Sequence, residues 1–463
     1  MQWFAEFAWL GDEVAADVLI EADGERFTSV TRGVPAPPGT SVLRGLTLPG
    51  LADAHSHAFH RALRGWVQAE PARPAGSGPP RMPGTFWTWR DQMYKVADRI
   101  GPDAYRALAT AVYAEMALAG ISCVGEFHYL HHKPGGDPYD NPNAMGEVLI
   151  AAAADAGIRI TLLDTCYLRG GIDRPLMGPQ LRFGDGSVGN WARRVDSLYE
   201  HTDKGGRPHA RVGAAIHSVR AVPPEQIRSV AGWARERQAP LHVHLSEQPA
   251  ENEACRHAYG VTPTRLLAEC GALGARTVAV HATHLTPDDI DLLGTTMTGV
   301  CMCPTTERDL ADGIGPARAL SRAGSPICLG SDQHAMIDLF EEARAVELNE
   351  RLRTRERGHW TAGELLAAAT WNGHYALGWP EAGRLEPGAY ADLVTVALDS
   401  VRTVGPGPAL AAETVVFAAT AADVRSVVVS GREIVRDGRH LLVDDVPGSL
   451  REAIAALHAT LNG

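Results

Sequence analysis

The stretch LTLPGLADAHSHAFHRALRG (residues 46–65) runs from a continuous apolar, β-prone segment straight into a His-x-His pair, His55 and His57. Side chains two apart on a strand point the same way, so both imidazoles aim at one point. An unbroken apolar run marks a strand buried on both faces. Seven more such runs follow. They begin near Ile121 (ISCVGEF), Ile158 (IRITLLDT), Arg211 (RVGAAIHS), Leu241 (LHVHLSE), Thr277 (TVAVHAT), Thr298 (TGVCMCP) and Pro326 (PICLGSD). Ala/Leu/Arg-rich stretches with helical spacing separate them. This alternation predicts an α/β fold, a (β/α)8 TIM-like barrel enlarged by insertions.

His55, His57, Glu126, His128, His217, His244, Glu247, His281 and Asp332 all fall near the C-terminal ends of those runs. Barrel enzymes build their sites at that face. Histidines that merely filled the core would scatter along the strands.

Outside the barrel the pattern changes. Residues 1–47 and 384–440 read as short strands with Gly and Pro turns, and are expected to pair into one small β-sandwich. The barrel is placed at 48–383 and a terminal helix at 441–463. The Pro/Gly-rich segment 67–85 follows the first strand and precedes FWTWR (residues 86–90), so a lid or substrate loop over the barrel mouth is expected.

The chain has 463 residues, 45% hydrophobic and 21% charged, which supports a large core and argues against disorder. A net charge of −12 leaves no electrostatic footprint for nucleic acid or for an anionic membrane. No apolar run reaches the ~18 residues of a membrane helix. The acidic start MQWFAEFAWLGDEV lacks the basic region of a signal peptide. The 7 cysteines are odd in number and irregularly spaced, without a CxxC. That favours a reducing compartment, and a cytoplasmic protein is expected.

A second His-x-His pair, His242 and His244, lies on the fifth run. His281 ends the sixth, and Asp332 ends the eighth, within GSD. Imidazole and carboxylate ligands suit Zn²⁺ and also accept Fe²⁺. The order HxH, HxxE, His and Asp on runs one, five, six and eight resembles the amidohydrolase superfamily. The resemblance implies that His55, His57, His244 and Asp332 hold one metal ion, which would lower the pKa of bound water toward ~7. It implies Glu247 and His281 as the catalytic pair. His242 points the same way but deeper, and is expected behind the ligands or in the core. Binuclear members usually bridge two metals with a modified lysine on strand four. The lysines are Lys95, Lys133 and Lys204, and none ends a strand. A mononuclear site, the usual arrangement of the deaminase branch, is expected.

Acid–base logic then distributes the work. Asp332 would take a proton from the water. Glu247 would protonate the substrate nitrogen and help carry a proton to the leaving ammonia. His281 would orient the nucleophile or stabilise the tetrahedral intermediate.

Arg220, three residues past His217, and Arg90, within FWTWR, are candidate anion binders, since Arg holds carboxylates with a bidentate fork. Two of them at the mouth of an acidic barrel suggest a small anionic substrate, with a dicarboxylate matching both forks. The longer segments HSHAFHRALRG, FWTWRDQMY, EFHYLHH, IHSVRAV, HVHLSEQ, VHATHL, CPTTERDLADGI and LGSDQHAMIDLFEEARAVELNERLR resemble the formimidoylglutamate deiminase family (N-formimino-L-glutamate iminohydrolases) of bacterial histidine degradation. The resemblance spans the whole chain. It implies hydrolysis of N-formimidoyl-L-glutamate to N-formyl-L-glutamate and ammonia, in a homodimer. It also implies that His60, Arg90, Tyr129, His217 and Arg220 contact the substrate. Two segments depart from the family pattern. His60 stands where Gln is usual, and Arg308-Asp309 replace small or neutral residues. Asp309 near an anionic substrate is unfavourable unless it turns away or pairs with Arg308.

Two other readings fit parts of the pattern. One is another mononuclear deaminase, acting on a purine, a pterin or a related aminated ring. The other is a barrel that lost catalysis and serves as a binding protein, which the intact metal and catalytic positions disfavour.

Overall fold

The computed structural model describes residues 1–68, 85–202 and 205–461. Eight strands form the barrel: Leu51–Ser56, Ile121–His128, Arg159–Cys166, Ala210–Ile216, Leu241–Leu245, Thr277–His281, Gly299–Met302 and Ile327–Leu329. They neighbour one another in chain order, and every pair is parallel. Nearly all their residues are buried, as unbroken apolar runs require. Several intervening helices begin with proline in their first turn: Pro102, Pro224, Pro249, Pro263 and Pro287. There its missing N–H would have no partner in any case, and its fixed φ suits the helix.

Strands eight and one close the ring through a short parallel bridge between Ser56 and Asp332. The Asp332 N–H donates to the His55 carbonyl at 2.9 Å, and the His57 N–H donates to the Asp332 carbonyl at 3.2 Å. This closure sets the Asp332 carboxylate beside the His-x-His pair. It needs a glycine at 330, because a Cβ there would lie 2.8 Å from the His55 side chain. The eighth strand itself ends at Leu329, so Asp332 sits beyond it, in the bridge.

The run beginning at Leu46 is not one strand, contrary to the sequence reading. Ser41–Pro49 belongs to the sheet formed by the chain ends, and the barrel begins afresh at Leu51. The break falls at Gly50, where a side chain would meet Ser122 Oγ at 2.3 Å. Apolarity alone could not reveal it, because both halves are buried.

Strands from both chain ends join in a separate, continuous eight-stranded sheet. They meet where Ser41–Pro49 pairs antiparallel with Leu393–Val396. Trp3, Ile20, Phe27, Leu43, Leu393 and Val428 share a core of their own there. A helix, Ala411–Ala418, interrupts the C-terminal strands, which sequence reading did not anticipate. A last helix, Val446–Leu461, packs on Pro102–Leu118. The 69–84 part of the expected lid lies outside the described residues. Thr85, just after it, caps the helix Phe86–Arg99 by accepting from the Thr88 N–H.

Arg159 anchors this terminal sheet to the third barrel strand. Its guanidinium is buried, bonds the Asp392 carboxylate and donates to Ser430 Oγ at 2.6 Å. It also lies 4.1 Å from the centre of the Tyr390 ring. Arg159→Met would leave the Asp392 charge buried without its cation, a loss of about 3–5 kcal/mol. Thermal unfolding should show a lowered Tm with kcat/KM retained; an unchanged Tm would mean that the pair is not an anchor.

Candidate active site

The barrel closure and two backbone contacts aim the candidate ligands. The His57 Nδ1–H donates to the Phe127 carbonyl at 2.8 Å, and the His244 Nδ1–H to the His217 carbonyl at 2.9 Å. Each ring is thereby left with its Nε2 lone pair facing the barrel axis. His244 Nε2 lies 3.1 Å from His55 Nε2. Asp332 Oδ1 lies 3.4 Å from His55 Nε2 and 3.5 Å from His57 Nε2. Burial pushes His57 down to about 3, and lowers His55 and His244 as well, so the imidazoles are neutral lone-pair donors. Burial opposes the charge on Asp332, yet the bond to His55 and the nearby histidines hold its carboxyl well below the usual range. The donors form two groups that share His55, one with His57 and Asp332 and one with His244 and His281, and neutral nitrogens beside an anionic oxygen fit a divalent cation.

Carboxyl groups behind the ligands fix their backbone. Asp53 accepts from the Ser331 N–H at 3.0 Å and the His55 N–H at 3.3 Å. Glu126 accepts from Ser56 Oγ at 2.9 Å and the Ala58 N–H at 2.7 Å. Burial raises Asp53 to about 7 and Glu126 to about 8. Sequence reading placed Glu126 at a strand end without a role; its contacts make it a brace for the His-x-His pair.

His281 sits among three carboxylates. Its Nε2 lies 3.8 Å from Glu247 Oε1 and 3.8 Å from Asp332 Oδ2, and its Nδ1 lies 3.6 Å from Glu307 Oε1. Burial alone would lower its pKa, but these neighbours, Glu247 foremost, raise it to about 10. Burial likewise raises Glu247, making it a carboxyl able to carry a proton near neutral pH. Sequence reading missed Glu307. Its only signal was its place after strand seven, inside the TTERD segment noted for other reasons.

Backbone strain gathers here. Ser246, His281 and Asp332 have φ of 50°, 68° and 44°. Such conformations cost non-glycine residues about 1–3 kcal/mol each and cluster at working sites.

Above the donors lies a cavity of about 50 Å³, lined by all the expected substrate-contacting residues: His60, Arg90, Tyr129, His217 and Arg220. Glu247, His281, Asp332 and all the candidate ligands except His55 also line it; His55 is fully buried beneath. His60 Nε2 lies 3.0 Å from the Tyr129 hydroxyl. The Arg90 guanidinium is braced between the rings of Trp87 (4.5 Å) and Tyr94 (5.4 Å). Arg220 Nε donates to Glu251 at 2.8 Å. Trp89, Tyr94, Tyr167 and Phe183 add aromatic walls that sequence reading did not single out.

Three other residues are now placed. His242 is buried and bonds the Ala376 carbonyl at 3.0 Å, away from the ligand cluster. Arg308 pairs with Glu341 at 2.9 Å rather than with Asp309. Asp309 turns to accept from Gln68 at 2.8 Å and Gln333 at 2.7 Å, so it is not among the residues lining the cavity. A second buried group, His128, His131 and Asp164, has metal-like spacing. Both oxygens of Asp164 are taken by Arg194, at 2.7 and 2.9 Å, so a cation already fills that place.

The amidohydrolase family model matches residues 46–434. The chain belongs to the amidohydrolase family. It is an enzyme, a hydrolase acting on carbon–nitrogen bonds. A formimidoylglutamate deiminase from Pseudomonas aeruginosa is 34% identical over 446 residues, covering 94% of this chain and 95% of that protein. An 8-oxoguanine deaminase from the same organism is 30% identical over 431 residues, covering 92% and 90%. The crystal structure of an amidohydrolase from Brucella melitensis superposes with a TM-score of 0.89 at 31% identity, covering 99% of each chain. No helix among the described residues is long and apolar enough to cross a membrane.

Proposed function

We propose that the protein is a deiminase that hydrolyses N-formimidoyl-L-glutamate to N-formyl-L-glutamate and ammonia, with one Zn²⁺ held by His55, His57, His244 and Asp332. The observation that carries this reading is the pair of guanidiniums, Arg90 and Arg220, lining one small cavity directly above the donor cluster. Two forks match the two carboxylates of a glutamate, and the donor cluster is left for the formimino carbon. The resemblance to the formimidoylglutamate deiminase of P. aeruginosa supports the same substrate.

A divalent ion at this site supplies a Lewis acid that makes water nucleophilic near neutral pH. The chain's own groups do the rest. Arg90 and Arg220 hold the carboxylates, and Tyr129, His60 and His217 close around the glutamate carbon chain. Asp332 accepts a proton from the attacking water. Glu247 delivers a proton to the imino nitrogen as the water oxygen bonds to carbon, and the proton taken by Asp332 follows to the same nitrogen. The carbon–nitrogen bond then breaks with ammonia leaving, while the oxygen's remaining proton returns to Glu247 as the carbonyl forms. His281, whose Nε2 lies 3.8 Å from Asp332 Oδ2, donates from Nε2 to the oxygen as negative charge grows there.

A purine deaminase is the second reading, supported by the 8-oxoguanine deaminase relative and by the rings of Trp89, Tyr94 and Phe183. The two cations lining the cavity favour the dianion over the neutral ring. A substrate series tests the choice. N-formimidoyl-glycine, which keeps the amidine and loses one carboxylate, should show kcat/KM lower by about 10²-fold or more, through loss of a charge-assisted pair. Equal kcat/KM for both would refute recognition of the second carboxylate. Dialysis against a chelator should abolish turnover and added Zn²⁺ should restore it; full activity in chelated, metal-free protein would refute the metal's role.

A further inference from the structure

The helix Pro249–Tyr259 carries a carboxylate that no catalytic role above employs. Glu251 is almost wholly buried, with 1% exposure. Its two oxygens have different partners. Oε2 accepts from Arg220 Nε at 2.8 Å. Oε1 accepts from the Ser246 N–H at 3.0 Å.

Both partners matter to the cavity. Arg220 uses Nε on Glu251, which leaves its terminal Nη groups for a ligand in the pocket it lines. A guanidinium held by one edge is preorganised at the other, so less rotamer entropy is lost when a carboxylate binds. Ser246 lies between His244 and Glu247 and has φ of 50°, a strained turn for a residue with a Cβ. That turn leads the chain from the candidate ligand His244 to the acid–base group Glu247. Without a fixed acceptor for its N–H, a strained turn relaxes, and the Glu247 carboxyl moves with it.

We infer that Glu251 is a positioning residue with two functions: it braces Arg220 so that its fork faces the substrate, and it pins the Ser246 turn so that Glu247 stays aimed at the reacting carbon. The first function rests on the reading that Arg220 holds a substrate carboxylate; the second holds for any substrate of this site. Through one side chain, recognition of the substrate's charged end is tied mechanically to placement of the proton donor.

Two substitutions separate the functions. In Glu251→Gln the amide oxygen can still accept from Ser246, but its NH2 meets the Arg220 Nε–H donor to donor. The brace fails and the pin survives. In Glu251→Ala both fail. A merely structural role, such as the favourable charge in the first turn of the helix, would lower Tm in both variants without separating KM from kcat.

The experiment is steady-state kinetics on N-formimidoyl-L-glutamate for the wild type, Glu251→Gln, Glu251→Ala, Arg220→Met and the double variant Arg220→Met/Glu251→Gln, with metal content and Tm measured on each. Glu251→Gln should raise KM by about tenfold, and should add nothing to KM once Arg220 is already Met. In Glu251→Ala, kcat should fall at least about tenfold further than in Glu251→Gln. A wild-type KM in Glu251→Gln, or an undiminished KM effect in the Arg220→Met background, overturns the brace. Equal kcat in the Gln and Ala variants overturns the pin. Should the wild type leave N-formimidoyl-L-glutamate untouched, the substrate reading and the brace fall together. The Gln/Ala comparison of kcat on the compound that it does hydrolyse then decides the pin alone.

Discussion

Glu247→Gln retains the fold and the bound metal and loses turnover by about 10²- to 10⁴-fold, the usual range for removing a positioned general acid. Gln matches Glu in size and takes the same place in the cavity lining. The Glu247 carboxylate faces His281, with Oε1 3.8 Å from Nε2. The amide still fills the cavity wall but carries no proton acidic enough to transfer, so the leaving nitrogen is not protonated. KM should change little, because Arg90 and Arg220 are untouched. Turnover within about twofold of the wild type would remove Glu247 from the proton path. The same loss accompanied by lost metal would instead assign it a part in holding the cation.

Arg220→Met is the second large effect, and it should fall mainly on KM. Truncating one partner of a buried, hydrogen-bonded charge pair typically costs about 2–5 kcal/mol. The change also leaves the buried Glu251 carboxylate without its cation, a loss that falls on stability rather than on KM. Arg90, which lines the same cavity and is held by Trp87 and Tyr94, should still bind the other carboxylate. Binding is therefore weakened rather than abolished, with kcat/KM lower by about 10²-fold or more. An unaltered KM would mean that Arg220 serves Glu251 alone and touches no substrate.

The barrel could be read from the sequence because eight apolar runs with polar residues at one end leave few other folds. The donor set was legible for the same reason: strand periodicity alone puts His55 and His57 on one side. What the sequence concealed are long-range contacts. Nothing local distinguishes Ser41–Pro49 from Leu51–Ser56, yet Gly50 sends them to different sheets. The closure that brings Asp332 to His55 spans the whole barrel and depends on a glycine at 330 with no helix or turn signature. Glu251, Glu307 and Asp53 look like ordinary carboxylates in the chain, and only burial beside Arg220, His281 and Ser331 gives them work. The opposite holds for Asp309. Its charge raised a conflict with an anionic substrate, which Gln68 and Gln333 resolve by turning it aside.

The central claim is that one metal-binding donor set and two arginines in a small cavity make an enzyme for a dianionic amidine. Ammonia release from N-formimidoyl-L-glutamate by purified protein, with metal content determined on the same sample and 8-oxoguanine run in parallel, tests it most directly. Rapid release from the amidine with about one zinc per chain, and little or none from the purine, is the result expected. Metal-loaded protein that releases ammonia from 8-oxoguanine and not from N-formimidoyl-L-glutamate would contradict it.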